Sequence, residues 1–341
     1  MGLITSTEKG LYCAQGDFYI DPWKPVPRAL ITHAHADHAV YGHQQYISTQ
    51  DSVAILKYRL GNHIQITGYP YRNTFTIKGV TISFHPAGHI FGSAQVKLVY
   101  RGEIWVFSGD YKTEDDTISA PLEIVPCHTF ISECTFGLPS FRWQPQRVIF
   151  DEINAWWLDN KRSGKTSILC VYALGKAQRI ARYLDTDTGD IYTHGAIQNT
   201  HDVLHACGLK LPKTRKPDNR QHQDTFRGSM VLAVPSAQGS SWMKKFPNPE
   251  IAVVSGWMAM RGARRRRGIE KGFVLSDHAD WQGLTDTIKQ TGAEQIYVTH
   301  GYTHLFSRWL TEQGYKAGIM ETLYQDEPEQ HDDPLVEVEE S

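Results

Sequence analysis

The sequence predicts an α/β fold, a layered sandwich of sheets and helices interrupted by a second, smaller α/β unit. Three observations carry this expectation. Residues 1–145 run as short β-segments that end in polar turns. Residues 146–270 instead alternate apolar runs with helical stretches, the pattern of a parallel sheet with crossover helices. Residues 271–325 then return to short strands around one amphipathic helix and are expected to complete the first part.

Each element has its own signal. Residues 11–12 and 18–20 are β-runs ahead of Asp21-Pro22, and 29–32 is a short apolar run that ends at a histidine cluster. Residues 80–85 and 95–100 alternate with period two, and 104–108 is another apolar run. Residues 52–60 between them read as helix. In the middle, 145–160 reads as a helix and 167–173, SILCVYA, as a buried strand. Gly175 then opens a helix that runs through Tyr183. The same strand–turn–helix pattern recurs over 191–207, and 230–234 and 251–255 add strands. Residues 210–227 are polar and basic and read as loop. In the last part, 273–275 and 295–299 read as strands and 281–291 as a helix. No internal repeat is visible. Residues 326–341 carry two prolines and little to bury, the composition of a disordered acidic tail.

Composition narrows the function classes. A chain of 341 residues can hold two modest domains or one with an insertion. No stretch approaches the roughly 20 apolar residues needed to span a bilayer, and MGLITSTEKG lacks the basic-then-apolar pattern of a secretory signal. The five cysteines are scattered, odd in number and free of any CxxC pair, which fits a reduced cytoplasmic compartment and buried thiols. Formal net charge is −2, but residues 326–341 hold eight acidic side chains and no Lys or Arg, so the rest of the chain stands at +6. That sign suits a polyanionic partner.

The strongest chemical signal is Thr32-His33-Ala34-His35-Ala36-Asp37-His38, where three histidines and an aspartate fall within six residues of an apolar run. Isolated histidines are ordinary core or surface residues. Four donors at HxHxDH spacing in one loop can instead divide between two neighbouring ions, and imidazole with carboxylate suits zinc or manganese. Further donors sit at strand ends beside glycine: His89 in AGHIFG, Asp110 in SGDY and His300 in VTHG. Together they complete a dinuclear shell in which Asp110 can bridge. Gly164-Lys165-Thr166 matches the end of a phosphate-binding loop, but residue 159 is Asp where the first glycine belongs.

HAHADH, AGHIFG, SGDY and VTHG resemble the successive metal-binding motifs of the metallo-β-lactamase superfamily. SECT at 132–135, ALGKAQ at 173–178, PSA at 235–237 and LSDHAD at 275–280 resemble its β-CASP nuclease branch. The resemblance covers residues 10–324 and is most similar to bacterial DNA-ligase-associated exonucleases. It implies a metallo-β-lactamase αββα sandwich with an inserted α/β β-CASP domain at 146–270. It also implies two divalent metal ions, zinc or manganese. His33, His35, His89 and Asp110 would hold one, and Asp37, His38, His300 and shared Asp110 the other. Asp21 would buttress ligand histidines from outside the shell, with Asp17 as its rival. His278, backed by Glu133, would stand beside the leaving group.

The implied chemistry is hydrolysis of nucleic-acid phosphodiester bonds. Ions ~3.5–4 Å apart would activate a hydroxide, and His278 would protonate the departing oxygen. Arg264, Arg265, Arg266 and Arg267, close before the His278 segment, are candidates for phosphate contacts, with a solvated face as the plain alternative. Lys176 and Gln178 at a helix start, with Ser236 and Ser240 in PSAQGSS, are candidates for a terminal-phosphate pocket; helix caps and turns are the plain alternative. DNA is favoured over RNA as partner, with association to a DNA ligase or helicase and a role in DNA repair implied by the resemblance. His300 keeps an RNA-processing nuclease open, because RNA-processing members retain the last histidine ligand. A thioester or lactone hydrolase and an inactive scaffold are the remaining readings.

Overall fold

In the computed structural model, residues 2–218, 220–260, 262, 269 and 271–324 are described. They form two units, one holding the residues up to Arg142 and those from His278 onward, the other Trp143–Asp277.

The first unit contains two sheets. A six-stranded sheet follows chain order: Thr5–Ser6, Leu11–Cys13, Phe18–Ile20, Arg28–Leu30, Gln45–Thr49 and Ile66–Tyr69. The seven-stranded sheet runs in the order Lys316–Ile319, Gln295–Gly301, Thr129–Cys134, Glu103–Phe107, Ala94–Tyr100, Val80–Pro86 and Thr74–Ile77. Successive side chains on a strand face opposite ways, and the second sheet uses both faces. Phe107 and Ile131 join Leu11, Phe18, Ile20 and Leu30 in a core between the sheets. Their chain neighbours Val106 and Phe130 join Leu284, Ile288, Phe306 and Leu310 from the helices Trp281–Thr291 and Thr303–Glu312.

The direction of the strands places the chemistry. Glu103–Phe107, Thr129–Cys134 and Gln295–Gly301 are mutually parallel. Val80–Pro86 shares their direction, because Ala94–Tyr100 is antiparallel to both it and Glu103–Phe107. The C-terminal ends of four strands therefore lie at one edge, which gathers His89, Asp110, Glu133 and His300.

The second unit is built on a five-stranded, fully parallel sheet in the order Ile191–Thr193, Met230–Ala233, Thr166–Cys170, Pro249–Val254 and Lys271–Phe273. Every residue of central Thr166–Cys170 is buried, as a strand covered on both faces must be. The helix Gln146–Arg162 turns Ile149, Phe150, Ile153 and Trp157 into this core.

Several expectations need correction. The strand read at 273–275 is Lys271–Phe273, and it pairs with Pro249–Val254. It belongs to the five-stranded sheet of the second unit rather than completing the first unit, and buried Phe273 packs in that core. The run 167–173 stops as a strand at Cys170, because residues 173–175 turn into the next helix. Within 210–227, Gln223–Phe226 forms a short 3-10 helix over buried Phe226. No element is expected from the sequence at Thr5–Ser6, Gln45–Thr49, Ile66–Tyr69, Thr74–Ile77, Thr129–Cys134, Thr303–Glu312 or Lys316–Ile319. The acidic stretch 326–341 lies outside the described residues. No helix among those described is long and apolar enough to cross a membrane.

Candidate active site

The loop after Arg28–Leu30 carries the histidine cluster, and its shape is set by buried hydrogen bonds. Asp21 is fully buried; its carboxylate accepts from Thr32 N at 2.8 Å and Thr32 Oγ1 at 2.5 Å. The same carboxylate meets His38 Nδ1 at 2.8 Å. One aspartate thus ties the start of the loop to its end and turns His38 Nε2 inward. Its rival Asp17 is exposed and paired with Lys78. On the other side of the loop, the buried guanidinium of Arg59 donates to Ala34 O at 2.5 Å. Gly109, at φ +55, lets the turn before Asp110 press against Thr32; a Cβ there would stand 2.8 Å from the threonine Cβ.

Asp110 is the centre of the cluster. Its Oδ2 lies 3.5 Å from His33 Nε2, 3.5 Å from His38 Nε2 and 3.7 Å from His89 Nε2. Its Oδ1 lies 3.7 Å from His300 Nδ1. His35 Nδ1 is 3.0 Å from His89 Nε2. Donor atoms of His33, His35, His89 and Asp110 all lie within 4.8 Å of one another, and so do those of His38, Asp110 and His300. Asp37 is a quarter exposed, and its carboxylate is 3.5 Å from His38 Nε2. Six of the seven residues expected to hold metal are therefore brought together at the Asp110 carboxylate, and Asp37 meets them through His38.

These residues could hold divalent metal. The Nε2 atoms of His33 and His38 are buried without a hydrogen-bond partner, a costly arrangement unless something else engages them. Charge balance says the same. Burial lowers a histidine's pKa, yet Asp110, Asp37 and the Asp21 hydrogen bond push His38 up to about 10. Burial and the neighbouring His38 push His33 well below the usual range. Although burial opposes it, the surrounding histidines, His38 and His278 foremost, hold the Asp110 carboxyl well below its ordinary value. A cluster that draws in positive charge while leaving imidazole nitrogens without a hydrogen-bond partner has the donor chemistry of a metal site.

His300 reaches this cluster through a bulge. Glu133 pairs with Thr299 and Cys134 with Gly301, so His300 is the extra residue between them. It adopts φ +61, rare for a residue with a Cβ, and the strain re-aims its ring. Gly301, at φ +90, makes the bulge possible; a Cβ there would stand 2.4 Å from Cys134 O.

His278 stands beside the cluster, its ring 4.8 Å from that of His89. Its Nδ1 is 2.9 Å from Glu133 Oε1. The Glu133 carboxylate also accepts from Tyr111 N, Thr135 N and Thr135 Oγ1. With Nδ1 committed to Glu133, Nε2 is the nitrogen that can offer a proton elsewhere.

The expected phosphate-pocket residues are arranged otherwise. Lys176 is completely buried, 3.6 Å from Asp277, which Arg179 also pairs at 3.0 Å. Gln178 accepts from Gly175 N and donates to Ala173 O, capping its own helix. Ser240 Oγ donates to Ala237 O within a turn, and Ser236 is exposed at the start of a 3-10 helix. Polar atoms of Lys176, Gln178 and Ser240 are thus engaged within the second unit. Arg264, Arg265, Arg266 and Arg267 lie outside the described residues. Sequence reasoning missed Arg59, which carries no motif signal nearby.

No family model matches the chain. It is 28% identical over 314 residues to a "Probable DNA ligase" of Opitutus terrae, a match covering 90% of this chain and 30% of that protein. It is 28% identical over 173 residues to the Endoribonuclease YSH1 of Gibberella zeae, covering 49% of this chain and 20% of the relative. The corresponding protein of Saccharomyces cerevisiae is 31% identical over 119 residues, covering 34% and 15%. The chain thus spans less than a third of the length of each of these relatives. A crystal structure of a protein of unknown function from Enterococcus faecalis shares the fold at TM-score 0.58 and 10% identity, covering 88% of this chain and 79% of that one.

Proposed function

We propose that this chain, which belongs to the β-CASP branch of the metallo-β-lactamase superfamily, is a metal-dependent nuclease that removes nucleotides from a DNA end in DNA repair. One observation carries the hydrolytic reading: the Asp110 carboxylate sits 3.5–3.7 Å from four imidazoles, with the His278–Glu133 pair alongside. The preference for DNA rests on the ligase-named relative, which matches 90% of the chain. The same relative motivates a ligase as working partner.

Zinc or manganese held by these residues supplies Lewis acidity, lowering the pKa of a water molecule and countering charge on the phosphoryl oxygens. The remaining chemistry belongs to the side chains. Glu133 accepts the Nδ1 proton of His278, fixing the ring's orientation and favouring its protonated form. His278 then presents its Nε2 proton to the departing 3′-oxygen, which leaves poorly as an alkoxide. Asp21 keeps His38 in the tautomer whose Nε2 faces Asp110.

An RNA nuclease is the second reading, favoured by the partial matches to endoribonucleases and by the retained His300. A thioester or lactone hydrolase finds less support, because a whole second α/β unit interrupts the first. The test is incubation of purified protein with 5′-labelled single- and double-stranded DNA and RNA, plus manganese or zinc. Terminal shortening of DNA that EDTA abolishes is the expected result. Cleavage of RNA alone would transfer the assignment to the second reading, and inert nucleic acids beside a hydrolysed thioester would end the nuclease reading.

A further inference from the structure

Tyr324 belongs to none of the motifs that mark the site, yet it packs against it. It follows Lys316–Ile319, and the chain between is pinned to the first unit's own elements. Met320 N donates to Val298 O at 2.9 Å, Ser6 Oγ donates to Glu321 O at 2.6 Å, and the hydroxyls of Thr322 and Thr299 lie 2.8 Å apart. This path delivers a ring that is 9% exposed. The ring lies flat on His38, with centroids 4.4 Å apart and planes 21° from parallel. Trp23 braces it edge-on at 5.7 Å, and the His300 ring is 6.3 Å away. The Tyr324 hydroxyl is buried without a hydrogen-bond partner.

An imidazole ligand has two rotations to lose. The Asp21 hydrogen bond to Nδ1 fixes His38 within its own plane and selects its tautomer. That contact leaves the ring able to tilt out of plane, which swings Nε2 away from Asp110. A flat aromatic face 4.4 Å away blocks the tilt. Ligands must be held within roughly 10–20° of the productive geometry, so an in-plane bond and an out-of-plane shelf are complementary constraints.

We infer that Tyr324 is a positioning residue of the metal centre, an aromatic shelf that sets the His38 ring for the ion shared with His300 and Asp110. The inference rests on the metal-centre reading above. The shelf is the ring, not the hydroxyl. Phenylalanine should therefore serve as well, and should relieve an unpartnered buried polar group. The segment that follows Lys316–Ile319 is then part of the site.

Metal titration of the full chain by calorimetry, with metal content measured after dialysis, tests this without an activity assay. Wild type and Tyr324→Phe should each take up two ions with equal affinities. Tyr324→Ala should weaken one ion by roughly 10–100-fold and leave the other unchanged. Tyr324→Leu, which keeps bulk without a flat face, should resemble Ala. Unfolding of the chelated proteins separates packing from positioning, because the Ala and Leu variants should keep the native circular dichroism spectrum. Two-ion binding by Tyr324→Ala at wild-type affinity would overturn the inference, as would rescue by Leu equal to that by Phe, or equal weakening of both ions in step with lost folding. A wild-type protein that takes up no ion would instead overturn the metal-centre reading, and this inference with it.

Discussion

At the scale of single residues, the site divides its work between side chains that surround Asp110 and a pair that stands beside them. His278 is committed through Nδ1 to Glu133, and that carboxylate is held in turn by three donors from Tyr111 and Thr135. Removing the imidazole should cost turnover and nothing else: His278→Ala is expected to lower the rate by about 10²–10⁴-fold with two ions still bound. Metal analysis alongside the assay checks it, and joint loss of metal and activity would make His278 a ligand. Protons and ions compete for the rest of the cluster. His38 is pushed up to about 10, against the pull of burial, by Asp110, Asp37 and Asp21. It therefore holds a proton at neutral pH that an incoming ion must displace. Metal affinity should rise with pH, up to about tenfold per unit for each proton released, across the range below pH 10. Calorimetry in buffers of different ionisation enthalpy measures that proton directly, and a flat affinity between pH 6 and 8 would show His38 already neutral. HxHxDH was readable as chemistry because its donors are adjacent in the chain. Arg59 and Tyr324 were not, because the contacts that give them meaning are with Ala34 and His38, distant in sequence.

At the scale of elements, the strand Gln295–Gly301 decides whether His300 reaches the cluster. A regular pairing would alternate its side chains between two sheet faces; the bulge inserts one residue and turns His300 to the edge. The bulge depends on Gly301, whose would-be Cβ lies 2.4 Å from both Cys134 O and Thr135 Cα. Gly301→Ala should therefore destabilise the first unit by about 1–3 kcal/mol or more and weaken metal binding at the His300 side. A thermal melt and a metal titration read the two effects, and an alanine variant matching wild type in both would show that the bulge tolerates a side chain. Elements also show where sequence periodicity succeeds. SILC was legible as a buried strand because both its faces are covered, leaving an unbroken apolar run. The helix Thr303–Glu312 was missed because only Phe306 and Leu310 are buried in it, too few to raise a period-3.6 signal. Lys271–Phe273 was given to the wrong sheet, since three residues contain no information about which edge they pair with.

At the scale of the whole molecule, stability should depend on acid through two buried histidines that belong to none of the candidate metal-ligand groups. Burial pushes His201 down to about 4, where it lies fully buried in the second unit with Nδ1 against Thr214. Burial does the same to His43 in the first unit. The unfolded chain takes up these protons near pH 6.5, the folded chain only near 4. The stabilisation is thus complete above pH 6.5 and lost as pH falls toward 4, by roughly 3 kcal/mol per histidine. Chemical unfolding of the chelated protein from pH 7 to 4 should show this slope, and His201→Asn should flatten it; an unchanged slope would refute the assignment. Charge acts at the same scale. The eight acidic residues of 326–341 hold the formal balance at −2 rather than +6, so the chain read as a whole hides the basic character of its other residues. By itself the sequence determined the mixed α/β class and which histidines and carboxylates are candidate donors, because short-range spacing and residue type specify those. Tertiary structure alone decided that Asp110 is the hub, that Asp21 rather than Asp17 meets His38, that Lys176 and Gln178 are engaged within the second unit, and that Tyr324 stands against His38. Those are statements about which distant side chains share a few ångströms, and they come into being only when parallel strands bring their ends to one edge.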